Sequence, residues 1–88
     1  MNTNFQMLKE LLEKYHPKQR GFISAEEIKL IKETLHIAEM DILALRNLRD
    51  FTVAFISSKT DDTIEDWDRM SAITHLIDIE ILTKGGEV

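Results

Sequence analysis

The amino-acid sequence predicts an all-α fold of about four helices in two helix–loop–helix units, on three observations. Apolar residues recur at three- and four-residue spacing through almost the whole chain, the period of an amphipathic helix. Breakers are few: one proline, Pro17, and three glycines, Gly21, Gly85 and Gly86. The single alternating run, Leu76 to Leu82 with Asp78 and Glu80 set between Ile77, Ile79 and Ile81, has no second strand-length run to pair with, so it is read as helix. A chain of 88 residues is too short for two cores, and one domain is expected over 1–88. Its core must be thin, and self-association would help it considerably.

Helix one is expected from about Asn4 to Tyr15. Phe5, Leu8, Leu12 and Tyr15 form its stripe, Met7 and Leu11 widen it, and Thr3 with Gln6 offers a capping box. Pro17 cannot continue this helix and disfavours helical backbone at His16, so "HPKQRG" is a loop in which Gly21 can take a positive φ. Helix two has the best-marked start. Ser24 and Glu27 form a capping box, Ile23 faces Ile28 as a hydrophobic staple, and Ile28, Ile31 and Leu35 make the buried stripe. Nothing in "LHIAEMD" forces a break, but a helix from Ala25 to Ile56 would be unusually long for a small globule, so a turn is expected near His36 to Glu39. Ile42, Leu45, Leu48, Phe51, Thr52 and Phe55 carry helix three. Its end, Phe51 to Ile56, is apolar almost all round and implies enclosure by neighbours or by a second copy. In the last helix Ile64, Trp67, Met70, Ile73 and Ile77 recur at helical spacing, which points Trp67 inward. Asp62 and Glu65 are a cap pair for its start, and Lys84 before Gly85 suits its end.

Composition narrows function by exclusion. The absence of cysteine removes disulfides, thiolate catalysis and cysteine-ligated metal sites. His16, His36 and His75 lie far apart in sequence, and no nucleophile elbow, phosphate-binding loop or dinucleotide fingerprint occurs, so neither catalysis nor a cofactor is expected. No run approaches the ~20 apolar residues of a membrane span and no basic-then-apolar leader opens the chain, so no membrane partner and a cytoplasmic location are expected. The net charge of −5 is unevenly spread: residues 1–59 sum to +1 and residues 60–88 to −6. An acidic end repels phosphate backbones, making nucleic acid a poor partner, and it suits a basic protein partner or simply solubility.

The loop around Gly21 and the connector around Asp62 align at an offset of 41 residues, as "HPKQRGFISAEE" and "SSKTDDTIEDWD". In the first, Gly21, Ile23, Ser24 and Glu27 stand at positions 6, 8, 9 and 12 of a twelve-residue loop, flanked by Leu8, Leu11, Leu12 and Tyr15 and by Ile28, Ile31 and Leu35. This resembles the EF-hand family, strongly in the first third of the chain and weakly thereafter. The resemblance implies two units packed face to face, with Ile23 and Ile64 meeting in a short two-stranded contact between loops. It does not extend to the family's metal chemistry. His16, Lys18 and Arg20 replace its acidic ligands, and Ser57, Lys59, Asp62 and the short Asp68 weaken the second loop, so no calcium binding is expected.

These features predict a small cytoplasmic regulatory or adaptor protein that acts by protein–protein interaction, with another protein or its own second copy as partner. The residues expected at the contact are Phe51, Phe55, Asp61, Asp62, Glu65 and Asp66. Trp67, Phe51 and Phe55 each have a plainer reading as core, and the carboxylates as helix-dipole partners of the last helix. The alternative is a helix-turn-helix DNA-binding regulator over residues 28–50. "HIAE" would be its turn and Arg46, Asn47 and Arg49 would read the groove, although Lys32 and His36 depart from that motif and the net charge opposes it.

Overall fold

Four α-helices form in the computed structural model, which describes residues 3–19, 21–58 and 64–87: α1 (Thr3–Lys14), α2 (Ala25–Leu35), α3 (Ile42–Ser57) and α4 (Ile64–Thr83). Their boundaries follow from local chemistry. The backbone N–H of Glu27 donates to Oγ of Ser24 at 3.2 Å, so Ser24 caps α2 as expected, while Oε1 of Glu27 accepts from the Ser24 hydroxyl at 3.2 Å rather than from the Ser24 N–H of a full capping box. Thr3 is already helical in α1 rather than its cap. The break between helices two and three is real. His36 ends α2 in the left-handed region (φ 54°), a 3₁₀ turn spans Ile37–Glu39, and Asp41 caps α3 by accepting from the Ala44 N–H at 2.8 Å. At the far end Gly85 takes φ 88°, the Gly86 N–H donates to the Ile81 carbonyl and the Gly85 N–H to that of Leu82, which is a Schellman ending. The proposed cap residue Asp62 lies outside the described residues, as do Arg20, Lys59 and Asp61.

The helices pack mainly as two pairs. α3 and α4 make the most extensive contact and α1 with α2 the next, while α4 also touches α2 and the 3₁₀ turn. Arg49 of α3 meets Asp78 of α4, and Arg46 reaches the Glu87 carbonyl, so α3 and α4 run antiparallel. Leu8, Leu11, Ile31, Leu35, Ile37, Leu45, Leu48, Ile73, Ile77 and Ile81 are buried in one cluster. The radius of gyration, 12.2 Å, matches the ~12 Å of a single compact domain of this length. Among the described residues no helix is long and apolar enough to cross a membrane.

Three expectations are corrected. Trp67 and Ile64, placed in the core by their spacing, lie on the surface of α4, and the buried stripe of its first turns is Asp66, Arg69 and Ala72 instead. Successive steps of three residues each fall about 60° short of a full turn, so the series Ile64, Trp67, Met70, Ile73 winds from the outer side of the helix to the inner one. The contact of Ile23 with Ile64 does not form. Ile64 is helical and exposed, and the isolated bridge in this part of the chain joins Gln19 to Phe22 across Gly21. Finally, Phe51 to Ile56 is only partly enclosed: Thr52 and Ile56 are buried, Phe51 and Phe55 half-buried, Val53 and Ala54 exposed.

Asp41→Ala is expected to cost about 1 kcal/mol by removing the α3 cap, against ~2 to 5 kcal/mol for Leu45→Ala in the core. Urea denaturation of the two variants measures both.

Candidate functional site

Loop one, from Tyr15 to Ser24, lies against the first half of α4 and leaves a cleft of about 320 Å³ between them. Tyr15 and Ala72 form its floor, Pro17, Phe22 and Ile23 the loop wall, and Asp68, Ser71 and His75 the helix wall. Gly21 makes the loop possible, since its φ of 76° strains any side chain that would replace it. Tyr15 is 2% exposed. Burial, followed by the neighbouring Glu27 carboxylate, pushes its hydroxyl up to about 12.

Arg69 ties loop one to α4 from within. Its side chain is 10% exposed, with Nη1 3.3 Å from an Asp66 oxygen and Nη2 2.8 Å from Oε1 of Glu65 and 2.7 Å from Nδ1 of His16. His16 Nδ1 and Glu65 Oε1 are themselves 2.9 Å apart. Because arginine can only donate, Nδ1 accepts from it in the tautomer that leaves Nδ1 without a proton, and in the tautomer that protonates Nδ1 that atom donates to Glu65 instead. His16, followed by Arg69, holds the Glu65 carboxyl below its ordinary range. Asp66 is thus buried, whereas Glu65 pairs with His16 and Arg69 while its own side chain stays half-exposed.

The other expected contact residues have different surroundings. Phe51 stacks on Phe55 at 6.0 Å between ring centroids, and Phe55 meets Phe5 of α1 edge-on at 5.5 Å, so these rings close the α1–α3 seam. Arg49 donates to Asp78 at 2.6 Å and Arg46 to the Glu87 carbonyl at 2.7 Å, which leaves Asn47 exposed beside two committed arginines. α2 and α3 make little contact with each other, whereas the helices of a helix-turn-helix pack closely. Among the described residues no group of three or more His, Asp and Glu side chains is placed to hold a metal ion.

Spacing alone missed the surface that stands out most. Ile64 and Trp67 near the start of α4 and Ile79 and Leu82 near its end are 63%, 48%, 40% and 58% exposed, two apolar pairs on one outer line of the helix with the polar Ser71 and His75 between them. A helix on the outside of a small domain ordinarily turns polar residues to water, and an exposed apolar stripe bordered by charge marks a contact surface. No family model, curated protein or solved structure matches the chain.

Tyr15 is the single tyrosine of the chain, so its titration can be followed directly. Its folded pKa, about 12, lies above the ordinary 10, and the stability this contributes is complete below pH 10 and lost as the pH rises through 12. Tyrosinate absorbance is expected to show that high midpoint in the folded protein. Tyr15→Phe should remove this contribution to alkaline unfolding.

Proposed function

We propose that this chain is a small regulatory or adaptor protein that acts by binding another protein and performs no catalysis. The observation that carries the proposal is the outward stripe of Ile64, Trp67, Ile79 and Leu82, four large apolar side chains turned to solvent on the longest helix. Trp is the residue type most enriched at binding hot spots, and Trp67 sits beside the cleft residue Asp68.

The resemblance to a metal-free EF-hand pair supports the same function, because paired helix–loop–helix units hold amphipathic helices. Gly21 has a positive φ at loop position 6, and Ser24 caps α2 from position 9. Glu27, at position 12, is buried and engaged with Ser24, and Lys18 at position 3 pairs with Glu26 rather than offering an oxygen ligand. Calorimetric titration with calcium is expected to give no heat of binding at micromolar affinity.

The function is tested by placing a photo-crosslinking amino acid at position 67, with the same group at the exposed Asn47 of α3 as control, in cells that make the chain. Position 67 is expected to yield one discrete protein adduct above 10.2 kDa that position 47 does not. Identical smears from both positions, or a nucleic-acid adduct from position 47, would overturn it.

A further inference from the structure

Three polar atoms meet where loop one crosses the start of α4, and no single protonation state satisfies all of them. Nδ1 of His16, Oε1 of Glu65 and Nη2 of Arg69 form a triangle: 2.9 Å from His16 to Glu65, 2.8 Å from Glu65 to Arg69 and 2.7 Å from Arg69 to His16. Each edge is a hydrogen-bond length. Nη2 only donates and an ionised carboxylate only accepts, so the edge between them holds whatever the imidazole does. The other two edges exclude each other. Without a proton, Nδ1 accepts from Nη2 and turns its lone pair toward a carboxylate oxygen. With a proton, it donates to Oε1 and sets N–H against N–H across 2.7 Å. The imidazolium is always in the second arrangement, because both of its nitrogens are donors.

The members differ in their access to water. The His16 side chain is 64% exposed and takes its proton from bulk solvent, whereas that of Arg69 is 10% exposed. Histidine is also the side-chain type whose charge ordinarily changes between pH 5 and 8. Among the described residues α4 brings Glu65, Asp66, Asp68 and Arg69 to this junction or to the adjoining cleft, and His75 to the far part of the cleft. α2 brings Glu27, next to Tyr15, and Glu26, which pairs with Lys18 of the loop, while Lys14 at the end of α1 pairs with Glu10. Apart from His75, these types ordinarily keep their charge over that range. His16 is therefore the member of the junction that changes.

We propose that His16 is a pH-sensitive latch on loop one: a proton at Nδ1 breaks its bond to Arg69 and loosens the loop wall of the cleft. Above the range the loop is tied to a buried guanidinium that Asp66 and Glu65 hold in place. Below it the imidazolium keeps only Glu65, whose side chain is 49% exposed, and an exposed ion pair fixes a chain weakly. Pro17, the next residue, begins the wall that Phe22 and Ile23 complete, so what happens at His16 passes directly to the cleft.

The test compares amide hydrogen exchange in loop one between the wild-type chain and His16→Asn at the same pH, so that the intrinsic chemistry of exchange cancels. Asn offers an acceptor oxygen near the place of Nδ1 and takes up no proton. At pH 7.5 the two proteins are expected to exchange alike, and at pH 5.5 the wild type about five-fold faster, the effect of one lost hydrogen bond. The unchanged ratio at both pH values overturns the proposal. Should Asn fail to hold the loop at pH 7.5, the wild-type NMR titration decides. The amide shifts of Gln19 and Phe22 must then follow the midpoint of the His16 ring and persist in His36→Asn and His75→Asn. Loop amides that stay still, or that follow His75, overturn it.

Discussion

A chain this short has little apolar surface to spend, and almost every other element of the fold takes its position from the inner side of α4. Ile73, Leu76, Ile77 and Ile81 form the wall against which α3 lies along its length, and α2 and the 3₁₀ turn reach the same helix. Each fully buried aliphatic side chain is worth roughly 1.5 to 3 kcal/mol relative to exposure. Four on one helix thus rival the whole net stability of a small domain, about 5 to 15 kcal/mol. The Schellman ending protects this wall, since Gly86 sits so close to Ile81 and Ile42 that a Cβ there would meet Ile81 at 2.7 Å.

The same helix begins with a different kind of burial. Asp66 and Arg69 occupy the inner positions of its first two turns, where apolar residues would be the simpler choice. A buried guanidinium is tolerable when its charge is matched, and Glu65, Asp66 and His16 surround it. The arrangement is not fully satisfied: Nε of Arg69 and Oε2 of Glu27 have no hydrogen-bond partner among the described residues. What Arg69 gains is a defined seat for loop one, because an apolar residue in its place would hold His16 by nothing directional. The cleft floored by Tyr15 owes its shape to this junction.

Much of the fold was legible in the sequence, and the failures have a common cause. The Ser24 cap, the stop before Pro17 and the Gly85 ending are local signals, set by a few neighbouring residues, and the structure shows them, whereas the break at His36 is expected only because one helix from Ala25 to Ile56 would be too long for a small globule. The direction in which α4 faces is not local. Both of its sides carry apolar residues, so periodicity found a stripe but joined the outer start of one to the inner continuation of the other. Only the polar pair Asp66 and Arg69, read as a buried ion pair rather than as solvated charge, could have corrected it, and sequence gives no sign that a charge is buried. The use of Phe51 and Phe55 in the α1–α3 seam depends on Phe5, fifty residues away along the chain from Phe55. Asp61 and Asp62 lie outside the described residues, and the acidic surface that remains visible is carried by α4 itself.

The exposed position of Trp67 also governs how the folding of this chain is to be followed. Indole emission reports a change of surroundings, and here the indole stands about half in water before any unfolding begins. A denaturation curve recorded at that one tryptophan would cross a cooperative transition with little amplitude. The interior has its own reporter in the buried Tyr15, and the helices have theirs in the backbone signal. A faint tryptophan transition would then describe where one ring sits and carry no information about whether the core behind it is well formed.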